Sequence, residues 1–196
     1  MITATMNIYF DTEFTGLNQD TTLISIGLVA ENGDTFYAEL TDYDETQCDD
    51  WIKTNVLGNL KLGFLKNNHV INSKKYCWEV KGDTKYVRLM LTSWLSNYTD
   101  VQLVSDVCHY DMVLLMGLFR DPLKQISDAF RFTDMTGICS VCHDINQDIA
   151  HFLDISEAKA FDVSRESLVK VPIEGEKHNA LYDAKIIKYI YELINE

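Results

Sequence analysis

Three strand-like segments in the first 40 residues constrain the fold of this chain more than any other feature. The segments "MNIYFD" (Met6 to Asp11) and "TLISIGLVAE" (22–31) are rich in β-branched and aromatic residues, as strands are. The dipeptide "NG" at 32–33 is the strongest short signal for a β-hairpin, and "DTFYAEL" (34–40) returns as a third strand. The sequence therefore predicts that the chain opens with an antiparallel meander.

Beyond the meander, helical and strand patterns alternate. The apolar spacing predicts helices over 48–60, 83–98, 110–119, a segment after Pro122, 138–153, and Asn179 to about Asn195, with strands at 101–106 and near 131–135. The stretch 61–82 fits neither pattern. Strands followed by alternating helices and strands predict an α/β fold with a mixed central sheet, antiparallel at first and then parallel. We expect one domain over residues 1–196.

Composition limits the classes of function. Apolar residues make up 46% of the chain and charged residues 24%, as in ordinary globular proteins. The longest apolar run, "MVLLMGLF" (112–119), is too short to span a membrane, and the N-terminus lacks the pattern of a signal peptide, so we expect a cytoplasmic protein with no membrane partner. The net charge of −13 argues against a large nucleic-acid footprint. Five cysteines without an export signal favour reduced thiols over disulfides.

Two carboxylates stand at the end of the first strand, in "FDTEF". Asp11 and Glu13 are two residues apart, so on a strand their side chains point to the same face. One interpretation is that the strand ends at Phe10 and both carboxylates lie in solvent. The other is that a divalent cation sits between them, because buried unpaired carboxylates repel and are costly to desolvate.

Further acidic residues lie at predicted strand ends and helix starts. Asp111 opens a helix just behind the strand in "LVSDVCHYDMVLL", and "HNALYD" places His178 and Asp183 at the start of the last helix. Small residues at Ala180 and Ala184 would let another element approach closely. Side chains at such positions commonly line the crevice of an α/β sheet.

The chain resembles the DEDDh 3′–5′ exonucleases of the DnaQ-like, ribonuclease H-fold superfamily, and within them the small stand-alone exoribonucleases. The family's three motifs occur in order as "DTEFTGL", "YDMVLL" and "HNALYD". Asn179 stands where the sister subgroup has tyrosine, which favours the histidine subgroup. The chain departs from the family in Phe14, where many relatives have threonine, and in Val107, where they often have asparagine.

The resemblance implies a ribonuclease H-like three-layer α/β fold and a phosphodiester hydrolase. Asp11, Glu13, Asp111 and Asp183 would hold two Mg²⁺ or Mn²⁺ ions about 4 Å apart. His178 would act as the general base, and nucleoside 5′-monophosphates would be released from a 3′ end. By analogy with relatives, a homodimer is also expected.

The expected partners are 3′ ends of single-stranded nucleic acid or 3′ overhangs, with RNA favoured. Phe14, Leu17 and Tyr110 are candidates to stack on or separate the terminal bases, although all three could instead be core residues. The backbone of Thr15 and Gly16 would contact the terminal sugar, as the same segment does in relatives.

Several alternatives stay open at this point. Asp106 competes with Asp111 for the second motif. The enzyme could be a single-strand DNA exonuclease, or the chain an inactive nuclease fold that binds a partner. The "CSVCH" motif could bind haem or, with His151, a zinc ion through Cys139, Cys142 and His143, but packing of the cysteines on a helix is the favoured interpretation.

Overall fold

A mixed β-sheet forms the centre of the computed structural model, which describes residues 5–74 and 76–195. Within these residues the sheet has seven strands, in the spatial order β4-β5-β3-β2-β1-β6-β7. In chain order they are β1 (Met6–Phe14), β2 (Leu23–Ala30), β3 (Thr35–Leu40), β4 (His69–Lys74), β5 (Cys77–Gly82), β6 (Val101–Ser105) and β7 (Cys142–Asp144).

The predicted meander is confirmed, and the parallel part of the sheet grows from its two sides. β1 pairs with β2 and β2 with β3 in antiparallel fashion. On one side, β6 runs parallel to β1 and β7 parallel to β6. On the other side, β5 runs parallel to β3, and β4 closes the edge antiparallel to β5. The expected mixed sheet is therefore present.

Helices cover both faces of the sheet. They are α1 (Asp50–Asn55), α2 (Thr84–Leu95), α3 (His109–Gly117), α4 (Asp128–Thr136), α5 (Ile145–Phe152), α6 (Glu157–Phe161) and α7 (Ala180–Asn195) among the described residues. Ile8 and Phe10 of β1 join the apolar core shared with α2, α3 and α4. Tyr9, which alternates to the other face, packs with α5 and α7. This alternation gives the expected three layers.

Two predicted elements are wrong. The residues near 131–135 form part of α4 and not a strand, because Ser127 caps the helix through the amide of Phe130, and Gly137, with φ of 74°, ends it. The helix predicted over 138–153 divides into β7 and α5. Asp144 is the last residue of β7 and also the N-cap of α5, because its side chain accepts a hydrogen bond from the amide of Asn146.

Other predicted bounds change less. The predicted helix over 48–60 is α1 followed by a short 3-10 turn, Leu57–Asn59, and the helix after Pro122 begins only at Asp128. The unassigned stretch 61–82 contains β4 and β5. Strand β1 continues to Phe14, so the interpretation that it ends at Phe10 is wrong.

Candidate active site

The C-terminal end of β1 carries the first two candidate residues. Asp11 and Glu13 both lie within the strand, opposite Gly27 and Ser25 of β2, and both line a cavity of about 500 Å³. Their side chains share one face of the sheet, as the spacing predicted. The two carboxylates therefore lie side by side in a crevice formed by the protein.

Gly27 lets the start of α7 lie directly against the sheet. A Cβ atom at this position would stand 2.3 Å from the amide nitrogen of Leu181 and 2.4 Å from the carbonyl oxygen of Ala180, which is closer than any side chain tolerates. Ala180 and Ala184 of α7 are both fully buried. This close approach brings Asp183, in the first turn of α7, beside Glu13.

Glu13, His178 and Asp183 form the tightest group of the site. One ligand atom from each lies within 4.8 Å of the other two. The Glu13 and Asp183 carboxyls are neighbours in this group, and each shifts the pKa of the other. Asp183 Oδ2 also accepts a hydrogen bond of 2.9 Å from the amide of His178. These three side chains thus converge on one point, where the two carboxylates are candidate ligands of a small cation and the imidazole lies beside them.

Asp111 reaches the site from the opposite layer and lies outside that group. It sits in the first turn of α3 and is 7% exposed. Its Oδ1 accepts two hydrogen bonds from Thr12, from the amide at 2.9 Å and from the hydroxyl at 2.6 Å. Only its second oxygen is left to act as a ligand. Thr12, the residue between Asp11 and Glu13, is therefore a partner that the sequence did not indicate.

The turn that carries Asp111 into place is held by Asp144. The carboxylate of Asp144 accepts from the amide of Val107 at 2.9 Å and from the amide of Cys108 at 3.3 Å. Val107 has φ of 49°, a left-handed conformation that is strained for a β-branched residue. Asp144 thus stabilises the unusual turn between β6 and α3.

Asp106, the competing residue for the second motif, lines the same cavity but is paired with Arg165. Its two oxygens accept from Arg165, Nε to Oδ2 at 2.6 Å and Nη2 to Oδ1 at 2.8 Å. The same guanidinium donates to Asn146 Oδ1 and to the carbonyl oxygens of Ala160 and Val163. A paired carboxylate is a poor candidate ligand, so the geometry favours Asp111.

Burial raises the pKa of all four carboxyls, and repulsion from the others adds to the shift of Asp11 and Glu13. The pKa of Glu13 rises to about 9 through burial and then the charges of Asp183 and Asp111. Burial raises the pKa of Asp183 to about 7 and that of Asp111 to about 6, the latter against the lowering effect of Thr12. Burial and the neighbouring Asp111 raise the pKa of Asp11 well above its usual range. Positive charge placed among these groups would therefore be strongly stabilised.

The segment after Glu13 leads to the candidate substrate contacts. Phe14 and Tyr110 stack on each other with ring centroids 5.4 Å apart and planes 14° apart. Thr15 is buried and donates its hydroxyl to Gln47, and Gly16 has φ of 154°. Leu17 is 78% exposed, so the alternative that it is a core residue is wrong. Its exposure leaves it free to contact a ligand.

Trp51 is a residue near the site that sequence reasoning missed. Its ring meets the imidazole of His178 edge-on, with centroids 4.9 Å apart, and it is 53% exposed. No local pattern in the sequence indicated that this residue of α1 lies beside His178.

The "CSVCH" motif does not assemble a zinc site. Cys142 belongs to β7 and packs on the core, whereas Cys139 is exposed. His143 pairs with Asp148 at 2.5 Å. In the described part of the chain these cysteines join no cluster of metal ligands, and all five cysteines are free thiols. The expectation that both cysteines of the motif pack on a helix is therefore met only in part. Cys142 packs on the core, but it does so from strand β7.

Among the described residues, none of the helices has both the length and the apolar character needed to cross a membrane.

The sequence of this chain matches the model of a known protein family. The model of the 3'-5' exoribonuclease Rv2179c-like domain matches residues 6–194. The 3'-5' exoribonuclease Rv2179c of Mycobacterium tuberculosis is 42% identical over 55 residues, which are 28% of this chain and 33% of that protein. The matching stretch thus spans about a third of the curated relative.

Comparison with solved structures supports the fold. S. pombe Pop2p, solved with Mg²⁺ and Mn²⁺ bound, superposes with a TM-score of 0.56 at 18% identity, covering 96% of this chain and 82% of that one. A 3'-exonuclease described for 3'-end specific recognition of a histone mRNA stem-loop gives 0.62 at 15% identity, covering 96% and 63%. These likenesses confirm the ribonuclease H-like fold.

Proposed function

This chain belongs to the Rv2179c-like 3'-5' exoribonuclease family, and from that premise we propose that it is a metal-dependent exoribonuclease that shortens RNA from its 3′ end. The observation that carries the proposal is the grouping of Glu13, His178 and Asp183 within 4.8 Å, with Asp11 and Asp111 beside them. The products would be nucleoside 5′-monophosphates.

The donor set suits two Mg²⁺ or Mn²⁺ ions. Asp11, Glu13, Asp111 and Asp183 offer only oxygen ligands, which hard divalent cations prefer. Their raised pKa values mean that the site without a cation holds protons that a cation would displace. The Mg²⁺ and Mn²⁺ bound to Pop2p, a protein of the same fold, agree with this choice of metal.

The chain's own residues provide the general base. When bound, the ions lower the pKa of a coordinated water and offset the negative charge that develops on the scissile phosphate. The imidazole of His178 takes the proton of the attacking water. Burial and the nearby Lys177 lower the pKa of His178, so the ring is neutral and ready to accept a proton at neutral pH. Asp183 holds the main chain of this base through its Oδ2.

Exposed apolar side chains next to the carboxylates would bind the last bases of the strand. Leu17 and Trp51 are exposed, and the Phe14–Tyr110 pair offers a partly exposed aromatic surface. Stacking of this kind tolerates any base sequence. The net charge of −13 disfavours a duplex, which would bring more phosphates to an acidic surface. A single-stranded RNA end or a 3′ overhang is therefore the proposed substrate.

Three features of the working protein stay predictions beside this function. They are a single exonuclease domain over residues 1–196, a homodimer, and a cytoplasmic location.

Digestion of labelled oligonucleotides tests the proposal. Single-stranded RNA with a free 3′ end should release 5′-mononucleotides with Mg²⁺ and none with EDTA, and a 3′-blocked strand should resist. Asp183→Asn should abolish release, while Glu176→Gln, which alters an exposed carboxylate, should not. Preferential digestion of single-stranded DNA would favour the DNA exonuclease. Binding of RNA without release of nucleotides in any metal would favour an inactive binding protein.

A further inference from the structure

His178 has a backbone conformation that its surroundings must maintain. Its φ is 62°, in the left-handed region that residues other than glycine seldom adopt. Such conformations persist only where neighbouring contacts determine them, and they concentrate at functional sites. The contacts that hold this residue therefore decide where its imidazole points.

Asn59 is hydrogen-bonded to the residues on both sides of His178, to the main chain of Lys177 and to the side chain of Asn179. Its side-chain Nδ2 donates to the carbonyl oxygen of Lys177 at 2.7 Å. Its own carbonyl oxygen accepts from Nδ2 of Asn179 at 3.1 Å. The residues before and after His178 are thus both tied to one asparagine, which lies more than 115 positions away in the sequence.

Asn179 connects this contact to the start of α7. Its Nδ2 also donates to the hydroxyl of Tyr37 at 3.0 Å, and its Oδ1 accepts from the amide of Tyr182 at 3.4 Å. Both its donors and its acceptor are thereby used. Since Asn179 is 2% exposed, none of these bonds can be replaced by solvent without opening the fold.

Glu39 fixes the other end of the network. This buried carboxylate accepts from the hydroxyl of Tyr37 at 2.9 Å and from the amides of Lys61 and Leu62 at 2.6 and 2.9 Å. The two amides follow directly after the turn that contains Asn59. Three hydrogen bonds to one buried carboxylate oxygen fix these groups relative to one another. The network links β3 to the backbone at 177–179.

We propose that Asn59, supported by Asn179, Tyr37 and Glu39, is a positioning residue that holds His178 in its left-handed conformation, an inference that rests on the proposed nuclease function. Without the Asn59 side-chain amide, the carbonyl of Lys177 loses this hydrogen bond, the backbone at 177–179 relaxes, and the imidazole turns away from the site of the attacking water. The carboxylates keep their places, because Asp11, Glu13 and Asp183 are held by β1 and α7. The effect should therefore fall on turnover and not on metal or substrate binding.

Kinetics of Asn59→Ala test this role, since the substitution removes the hydrogen bond to Lys177 and keeps the main-chain carbonyl that accepts from Asn179. We expect kcat on single-stranded RNA to fall by about 10- to 100-fold, the range for a misplaced catalytic group, with KM and the Mn²⁺ affinity changed less than about two-fold. In a His178→Ala background the same substitution should cost nothing further, because the base it positions is gone. An unchanged kcat, or an equal loss in both backgrounds, would overturn the proposal.

A matched control separates positioning from general stability. Asn97 also donates its amide to main-chain carbonyls, those of Ser93 and Trp94, at the end of α2. Asn97→Ala should leave kcat unaltered, with both variants confirmed as folded by circular dichroism at the assay temperature. A matching fall in kcat for both variants would show that the loss is one of stability.

Amide hydrogen exchange provides a readout that needs no activity. In metal-free protein the amide of His178, bonded to Asp183, should exchange slowly in the wild type and at least 10-fold faster in Asn59→Ala, with the amides of β1 unchanged. Unaltered exchange at His178 would refute the positioning role even in an active enzyme. If the wild type digests no RNA, the proposed function fails, while this comparison still decides whether Asn59 holds the loop.

Discussion

Replacing Glu13 with glutamine should stabilise the metal-free protein at neutral pH. Its pKa is raised from the ordinary 4.5 to about 9, first by burial and then by Asp183 and Asp111. At pH 7 the folded state thus keeps a proton that the unfolded chain releases. Between pH 4.5 and pH 7 there are about 2.5 pH units, and each corresponds to about 1.4 kcal/mol. Glu13 therefore lowers the free energy of unfolding at pH 7 by roughly 3 kcal/mol.

The sign of the pH dependence follows from the direction of the shift. A carboxyl whose pKa is raised on folding lowers the free energy of unfolding progressively as pH rises from about 4.5 to about 9. Glu13→Gln removes this loss. The variant should match the wild type near pH 4.5 and exceed it by about 3 kcal/mol at pH 7, which is roughly 6 to 12 °C in Tm for a chain of this size.

Thermal melts in EDTA across pH 4.5 to 9 measure this difference directly. Glu176→Gln, at an exposed position, is the matched control and should follow the wild type at every pH. With Mg²⁺ the wild type should become the more stable protein. The ion binds the folded state and stabilises it, and the variant binds the ion more weakly because it lacks one ligand. A stability difference between Glu13→Gln and wild type that does not grow with pH would refute the reasoning.

Four further outcomes are expected. Thr12→Val should remove the hydroxyl hydrogen bond to Asp111, leave only the main-chain amide bond, and lower kcat by about 10-fold or more; Thr12→Ser keeps both donors and should retain activity, as steady-state kinetics will show. Asp111→Ala should abolish RNA digestion and Mn²⁺ binding by calorimetry, while Asp106→Ala should retain Mn²⁺ binding; the reverse result would assign the second motif to Asp106. His178→Ala should lower turnover by about 100-fold or more and keep Mn²⁺ binding, and calorimetric loss of the metal would contradict its role as base. Binding of 5-mer and 30-mer RNA to His178→Ala with metal should show a log–log salt slope no steeper than about −2, and a much steeper slope would reveal an extended basic track.

Local sequence patterns predicted the parts of the fold that local interactions stabilise. The meander was predictable because β2 and β3 are joined by an Asn-Gly turn and have long apolar runs. Helix α7 was predictable because its apolar residues repeat at helical spacing over 16 residues. In both cases the deciding contacts lie within one element or between neighbours along the chain.

The errors fall where distant contacts decided between similar local preferences. The aromatic and threonine content at 131–135 favours a strand, but Phe132 is buried beside Phe119, and a capped helix places it there. The segment at 142–144 has no strong preference of its own. It becomes a strand because the free edge of β6 lies next to it. A single sequence contains no record of that edge.

The same division holds at the candidate site. Carboxylates at strand ends and helix starts are visible in the sequence, and the resemblance of three ordered motifs to the exonuclease family nominated Asp11, Glu13, Asp111, His178 and Asp183. Only the tertiary structure showed what surrounds them. Thr12 is hydrogen-bonded to Asp111 across 99 positions of the sequence, and Arg165 to Asp106 across 59. Asn59 is hydrogen-bonded to the loop before α7 across 118 positions. Thr12 and Asn59 are ordinary polar residues in the sequence. They acquire their roles because chain segments distant in sequence meet at one end of the sheet, and no local periodicity encodes such a meeting.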